Sequence, residues 1–171
     1  MKSLFASRPL FRSSLVLVLA VAAFSALGCH ESGEGENEPS ELADADTAQY
    51  LTPYGPPTRP FSPAVRVGDL IFLSGQIGTA ATANGGLIAG GIDAETRQTL
   101  DNIKQVLTDI GSSMDRVVKC TVMLADMKEW DQVNVIYRTY FAPGRLPARS
   151  ALGANGLALG ARVEIECIAS A

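Results

Sequence analysis

Histidine is almost absent from this chain: its 171 residues include a single one, His30, near the amino terminus. Nucleophilic triads of the serine or cysteine type use a histidine base, and many zinc sites use histidine ligands. Neither kind of site can be built from histidine in the rest of the chain. Hydrolysis by such triads and histidine-based zinc chemistry are therefore excluded there.

An excess of charge is also lacking from the body of the chain, although the whole sequence carries 18 acids and 14 bases. Seven of the acids lie between Glu31 and Asp46, and three of the bases precede Leu15. From Ala48 onward, eleven acids face eleven bases. A neutral domain offers no electrostatic footprint for nucleic acid, so RNA binding is disfavoured.

The apolar run near the amino terminus is too short to span a bilayer. Leu15 to Leu27 is thirteen residues long and uncharged, whereas a spanning helix needs about 20. It follows Lys2, Arg8 and Arg12, a basic start that is typical of a secretory signal peptide. The segment is therefore predicted to be removed rather than to form part of the fold.

The end of this run carries a more specific pattern. Ala26, Leu27 and Gly28 lead into Cys29 and resemble the lipobox of bacterial lipoproteins, in which the cysteine is lipidated and becomes the mature amino terminus. Leucine is usual where Ala26 stands, and plain cleavage by an ordinary signal peptidase is the alternative. Either route predicts a protein that leaves the cytoplasm, and lipidation at Cys29 predicts a membrane anchor.

An acidic segment follows the predicted cleavage site. Between His30 and Thr47 there are seven acids, with serine and glycine among them, and no lysine or arginine. Such a composition cannot bury enough apolar surface to offset the entropy of ordering. The sequence therefore divides into a signal peptide (1–28), a disordered tether (29–49) and a folded domain (50–171).

Two cysteines remain in the folded part. Cys120 and Cys167 occupy apolar-facing positions of strand-like runs, where buried thiols are the ordinary expectation. A disulfide is compatible with an oxidising compartment, but the sequence alone does not place the two Cα atoms, so both states stay open.

The folded part opens with prolines and then with strands. Tyr50 to Pro63 holds five prolines and predicts an extended lead-in. Gly68 and Asp69 separate two apolar runs in the manner of a β-hairpin turn. The second run, Leu70 to Leu73, is continuously apolar, which indicates burial on both faces of a sheet. Ser74 and Gly75 end it, where a ligand or another backbone can approach closely.

Two helices are expected further along. Asp93 is a candidate cap for a helix with a buried stripe of Leu100, Ile103, Leu107 and Ile110, ending at Gly111. Asp126 and Glu129 resemble a capping box for the second helix. Its buried stripe is predicted to comprise Trp130, Val133, Tyr137, and Tyr140 or Phe141, and Asn134 and Tyr137 are neighbours that can project toward a cleft.

A second long strand separates the helices. Arg116 to Leu124 alternates, with Val118, Cys120, Val122 and Leu124 on the predicted buried face.

The carboxyl-terminal segments carry the candidate chemistry. Arg149 lies between apolar and small residues, and in Arg162 to Ala169 the two glutamates, Glu164 and Glu166, alternate with apolar residues. Arginine offers a rigid, always-charged fork for a planar anion, and a glutamate can hold or deprotonate water. An ordinary salt bridge on a solvated sheet face is the alternative.

The element order predicts an α+β fold with both helices on one face of the sheet. Two helices cannot cover both faces, yet Leu70 to Leu73 indicates burial on both. The uncovered face is therefore expected to meet another subunit in a homo-oligomer.

Several segments together resemble the RidA (YjgF-type) family of reactive-intermediate deaminases. They occur in family order from about Pro60 to the carboxyl terminus: VGDLIFLSGQ (67–76), TRQTLDN (96–102), KCTVMLAD (119–126), PARS (147–150) and VEIECIA (163–169). The resemblance implies a chorismate-mutase-like trimer with ligand sites in clefts between subunits. It implies hydrolysis of enamines and imines of amino acids to 2-oxo acids and ammonia, with no metal and no organic cofactor.

The resemblance also implies residue roles. Arg149 matches the arginine that binds the substrate carboxylate, Glu166 the glutamate associated with the hydrolytic water, and Gly75 a backbone contact near that water. Ser74, Asn134 and Tyr137 are further candidates for substrate binding. Tyrosine is frequent in the family where Phe61 stands and cysteine where Ala151 stands, which predicts a more apolar pocket or slower turnover.

A non-catalytic module that binds small carboxylates in the same clefts is the alternative function. Ribonuclease or holdase activity, sometimes attributed to the family, fits a neutral domain poorly.

Overall fold

The computed structural model describes residues 47–80 and 85–171. The predicted signal peptide, Cys29 and the acidic residues up to Asp46 lie outside the described residues. No helix in the described ranges is both long and apolar enough to cross a membrane. In chain order, the elements are β1 (Gln49–Leu51), β2 (Ala64–Val67), β3 (Leu70–Leu73), β4 (Gln76–Ile77), α1 (Gly91–Asp109), β5 (Val117–Leu124), α2 (Trp130–Tyr137), β6 (Ala148–Gly153) and β7 (Val163–Ser170).

The strands form one mixed sheet in the order β1-β2-β3-β7-β5-β6, with β4 also paired to β7. Only β5 and β6 run parallel among the pairs of the described residues. Both helices bury their apolar stripes against one face, in a core that includes Leu100, Val133, Val122 and Ile165. The predicted α+β class, with two helices on one face of a mixed sheet, is confirmed.

The first hairpin forms as predicted, since Val67 pairs with Leu70 across Gly68 and Asp69. Burial on both faces of β3 is not found within one protomer. Ile71 is 4% exposed, whereas Leu70 is 43% and Phe72 42% exposed. These side chains lie on the face that the helices leave bare, where the second subunit was expected; that subunit stays a prediction. At the other end of the lead-in, β1 begins at Gln49, one residue before the predicted domain boundary.

The ends of α1 differ in how well the sequence predicted them. Asp93 does not cap it: Gly90 is the N-cap, without a side-chain hydrogen bond, and Asp93 lies in the first turn, where its charge favours the helix dipole. The other end is as predicted. Gly111 has φ of 79° and its N–H donates to the Thr108 carbonyl over 3.0 Å, while that of Ser112 donates to Leu107 over 2.7 Å, the Schellman arrangement.

The start of α2 also departs from the expectation. The Asp126 side chain accepts a hydrogen bond from the Lys128 N–H at 2.9 Å, but it caps a 3₁₀ turn (Met127–Glu129) that precedes the α-helix. Glu129 does not reach back to close a capping box; it is buried and forms an ion pair with Arg162. Trp130, predicted in the buried stripe, is half-buried rather than fully buried.

The strand β5 contains an irregularity that alternation did not predict. Val117 pairs with Ala169 and Lys119 with Ile168, so Val118 is an extra residue at a β-bulge. As a result Val118 is 47% exposed, and Val117 takes the buried position instead. From Cys120 onward the predicted alternation is confirmed.

Cys120 and Cys167 face one another on β5 and β7 and form a disulfide, with their Cα atoms 4.1 Å apart. Both residues are buried in the core. The sequence left free thiols and a disulfide both open, and the structure has the disulfide.

Candidate active site

Arg149 projects toward the helices from β6, the strand at the end of the sheet order. It pairs with Cys120 of β5, whose side chain faces the core, and paired residues on neighbouring strands point to the same side. Its Cζ atom lies 4.7 Å from the ring centroid of Trp130 and 4.8 Å from that of Tyr137. Two aromatic rings of α2 therefore pack against the guanidinium.

Arg149 has no carboxylate partner among the described residues. The ion pair formed there joins Arg162 to Glu129, and Arg149 takes part in none of the side-chain hydrogen bonds of the described ranges. The ordinary salt bridge that the sequence left open is thus not formed at Arg149. Its five N–H donors are available to an anion.

Tyr137 is the more deeply buried of the two rings, with 4% of its surface exposed. Burial raises the pKa of its hydroxyl to about 12, against the opposing effect of the Arg149 charge. Its Oη atom has no hydrogen-bond partner within the described residues. The tyrosine therefore stays neutral at physiological pH and leaves the positive charge of Arg149 uncompensated.

The two candidate glutamates lie on the opposite face of the sheet. On β5, Thr121 pairs with Glu166 and Met123 with Glu164. On β7 these glutamates alternate with buried residues such as Cys167, whose side chain faces the helices. Both glutamates therefore point away from the helices. Within one protomer, Arg149 and the two glutamates therefore do not lie on the same side of the sheet. A site that uses both needs surfaces from two copies of the chain.

Of these glutamates it is Glu164 that lies against Gly75. A Cβ atom built on Gly75 would clash with Glu164 Oε1 and stand 3.1 Å from its Cδ, so a side chain at position 75 would displace the Glu164 carboxylate from its present position. Burial, followed by the charge of Glu166, raises the pKa of Glu164 above its usual value. Glu166 is exposed. Glu164 was not singled out from the sequence, because alternation places both glutamates on one face and does not distinguish them.

Ser74 holds the proline-rich lead-in next to Gly75. Its hydroxyl donates to the Ser62 carbonyl over 2.7 Å, and its N–H donates to the Pro63 carbonyl over 3.0 Å. This fixes the residue after Phe61. The Ser74 hydroxyl proton is therefore occupied by the hydrogen bond to the Ser62 carbonyl. In a contact with substrate, the Ser74 hydroxyl oxygen would have to act as the acceptor.

Phe61 is exposed and lines a cavity of about 460 Å³ with Gln76, Asn102 and residues of the lead-in. Neither Arg149 nor either glutamate lines this cavity. Ser74, Gly75 and Glu164 lie together where β3 ends, and Phe61 lies on the lead-in one residue before Ser62, whose carbonyl accepts the Ser74 hydrogen bond.

A second group surrounds Arg149. Asn134 lies three residues before Tyr137 on α2 and is half-buried, and Ala151 lies two residues after Arg149 on the same face of β6. No group of three acidic, cysteine or histidine side chains suited to a metal occurs in the ranges that the structure describes.

The chain resembles known proteins over the described domain. The sequence profile of the family described as endoribonuclease L-PSP matches residues 53–171. A mouse protein named 2-iminobutanoate/2-iminopropanoate deaminase is 46% identical over 110 residues, which cover 64% of this chain and 80% of the relative. The human protein of the same name is 42% identical, with coverage of 64% and 79%.

A solved structure gives the same result for the fold. A Rid-family protein, YyfA from Yersinia pestis, superposes with a TM-score of 0.66 at 35% identity, covering 73% of this chain and all of the other. The expected fold is thereby confirmed.

Proposed function

Since the chain belongs to the endoribonuclease L-PSP family, which is the RidA (YjgF-type) family, we propose that it hydrolyses imines of small 2-amino acids, such as 2-iminobutanoate and 2-iminopropanoate, to 2-oxo acids and ammonia. The observation that carries the proposal is the Arg149 guanidinium, which packs against two aromatic rings and has no carboxylate partner among the described residues. The names of the mouse and human relatives support the reaction.

In the proposed reaction Arg149 binds the substrate carboxylate through two parallel N–H donors. The rings of Trp130 and Tyr137 shield the guanidinium from water, which strengthens its attraction for an anion. Holding the carboxylate fixes the imine carbon relative to the protein. When the bound carboxylate and the guanidinium are desolvated together, loss of the clamp costs about 2 to 5 kcal/mol of binding.

Glu164 is the better placed carboxylate for the water. A water oxygen adds to the carbon of the protonated imine, and the carboxylate takes the proton that the water loses. The same proton then passes to the nitrogen, and the carbon–nitrogen bond breaks to release ammonia while the carboxylate takes the hydroxyl proton, so that the carbonyl of the 2-oxo acid forms. General-base help contributes roughly a hundred- to ten-thousandfold, and a raised pKa makes Glu164 a stronger base than an exposed glutamate.

The earlier assignment of the water to Glu166 remains the alternative, and a pair of variants separates them. Glu164→Gln is expected to lower kcat by at least a hundredfold, while Glu166→Gln is expected to leave kcat within a few-fold of wild type. The reverse pattern would return the role to Glu166.

The reaction requires a second copy of the chain because Arg149 and Glu164 lie on opposite faces of one sheet. Leu70, Phe72 and Leu152 are exposed on the glutamate face, and burying such side chains against another subunit is favourable. We therefore include a homotrimer in the proposal, with each site formed between subunits. Light scattering of the purified protein is expected to give about three times the mass of one chain.

The decisive experiment measures ammonia release from imines made in situ by an amino-acid oxidase. The protein is expected to accelerate release, and Arg149→Ala to abolish the acceleration. Arg145→Ala, which removes an exposed arginine four residues away, is the matched control and is expected to behave as wild type. Acceleration that survives Arg149→Ala would refute the role of the clamp.

A non-catalytic carboxylate-binding module is the second candidate. It is favoured by Phe61, which lacks a hydroxyl, and by Ala151, which lacks a functional group. Thermal stabilisation by 2-oxobutanoate without any acceleration of imine hydrolysis would support this candidate over the deaminase.

The proposal places the protein outside the cytoplasm, held by a lipid on Cys29. The apolar run Leu15 to Leu27 and the lipobox-like residues support it, and a disulfide between Cys120 and Cys167 suits an oxidising compartment. Labelling with a radioactive fatty acid tests it. The native chain is expected to incorporate label and Cys29→Ala is not; label in both would refute the anchor.

A further inference from the structure

The aromatic rings beside Arg149 have a geometry that core packing alone does not require. Trp130 and Tyr137 are the first and last residues of α2, seven positions and about two turns apart, so their side chains lie on one face of the helix. Each ring centroid stands within 4.8 Å of the same guanidinium carbon. This is well inside the distance at which a cation is attracted to a ring face.

The rings are themselves held in place. Tyr137 packs against Phe141 with ring centroids 4.8 Å apart at an angle of 48°, an arrangement typical of favourable aromatic pairs. Tyr137 is also almost fully buried. A ring fixed in this way limits the rotamers that Arg149 can adopt, and it removes part of the entropy cost of ordering a long side chain on binding.

The rings balance the charge without using the N–H donors. A carboxylate partner would occupy the guanidinium fork, whereas a ring face leaves the in-plane donors free. Tyr137 stays neutral because burial raises its pKa to about 12. The guanidinium is thus oriented but still able to bind a planar anion.

We infer that Trp130 and Tyr137 are positioning residues, which hold the Arg149 guanidinium in the plane that receives the substrate carboxylate. The inference rests on the proposed role of Arg149 and extends it to two residues that do not themselves contact the reacting atoms. It predicts that the aromatic character of the two positions, rather than their volume, sets the affinity for small 2-oxo and 2-imino acids.

The test measures equilibrium binding of 2-oxobutanoate by calorimetry. Trp130→Leu is expected to weaken binding about five- to tenfold, while Trp130→Phe restores most of it, because only the second keeps a ring face. Tyr137→Leu, which removes the second ring face, is expected to weaken binding by a similar factor. Tyr140→Leu removes an aromatic side chain that bonds Arg97 and Asp101 instead, and it is the matched control with unchanged affinity.

Kinetics give a second readout that a purely structural role would not produce. Trp130→Leu is expected to raise KM for 2-iminobutanoate about as much as it weakens 2-oxobutanoate binding, with kcat within about twofold. Equal affinity in Trp130→Leu and Trp130→Phe, with both variants melting like wild type, would overturn the inference. So would a wild-type protein that does not bind 2-oxobutanoate.

The two proposals fail in different ways. Suppose that neither the wild type nor any variant hydrolyses imines, but that Trp130→Leu loses affinity for 2-oxobutanoate and Trp130→Phe keeps it. The deaminase function is then refuted and the positioning role is supported. If hydrolysis is normal but unaffected by Trp130→Leu, the positioning role is refuted and the deaminase function stands.

Discussion

Reduction of the Cys120–Cys167 disulfide is expected to cause a large loss of stability. The bond closes a loop at a sequence separation of 47. Closing a loop of that length lowers the entropy of the unfolded chain by roughly 14 cal/mol/K, or about 4 kcal/mol at room temperature. In the folded state the cysteines face one another on paired strands, so reduction leaves two buried thiols in place. The loss of stability therefore comes mainly from the higher entropy that the unfolded chain gains when the bond is removed.

The measurement compares oxidised and reduced protein of one sequence by urea unfolding. Cys29→Ala is used throughout, so that no thiol outside the pair is titrated. The unfolded oxidised protein is expected to show no free thiol, and the reduced protein two. For a domain of this size the melting temperature should fall by roughly 12 to 20 °C on reduction. Both samples are kept at one protein concentration, because subunit association also contributes to stability.

A matched control isolates the bond from the reductant. The double variant Cys120→Ala, Cys167→Ala is expected to unfold at the same urea concentration with and without dithiothreitol. Two reactive thiols in the unreduced, unfolded Cys29→Ala protein would refute the disulfide. A reduced protein as stable as the oxidised one would refute the entropy reasoning while leaving the bond itself intact.

Three further outcomes are expected. Gly75→Ala should lower kcat at least tenfold by displacing the Glu164 carboxylate, and Gly86→Ala, which meets nothing within 4 Å, should not; equal rates would contradict the close approach. The pKa of Glu164 is raised in the folded protein, so its ionisation destabilises the fold as pH rises through the carboxylate range. Glu164→Gln should therefore be at least as stable as wild type toward urea at pH 7. A clear loss of stability in this variant would contradict burial as the cause of the raised pKa. Phe72→Glu should reduce the mass measured by light scattering toward that of one chain, and an unchanged mass would exclude the face bearing Phe72 as the subunit interface.

The sequence predicted those parts of the fold that depend on one element at a time. The alternation of β7, the hairpin at Gly68 and the glycine that ends α1 each follow from local rules, and the structure has all three. The position of Val118 does not follow, because a bulge depends on how β5 pairs with β7. Asp93 was misassigned as a cap because a preceding glycine can begin a helix without a side-chain bond.

The candidate site was predictable in residue type and only partly in geometry. Arg149 lies within a recognisable motif, and of its two neighbours on α2 Tyr137 was predicted to face a cleft, whereas Trp130 was predicted only as part of the buried stripe. The choice between Glu164 and Glu166 depends on which one approaches Gly75, a contact between β7 and the end of β3 that no periodicity contains. The location of arginine and glutamate on opposite faces follows only once Cys120 is known to pair with both Arg149 and Cys167.

That separation has a physical advantage for the proposed deaminase. If Arg149 and Glu164 met within one protomer, they would form an ion pair. The substrate carboxylate would then have to break that pair before it could bind Arg149, and this cost would weaken substrate binding. With the guanidinium held by rings and the glutamate held beside Gly75, each group stays unpaired within one protomer. In the proposed site between subunits, the distance between the two charges would be set by subunit packing rather than by their attraction. The substrate can then occupy the space between them, with its carboxylate on the arginine and its imine carbon toward the water.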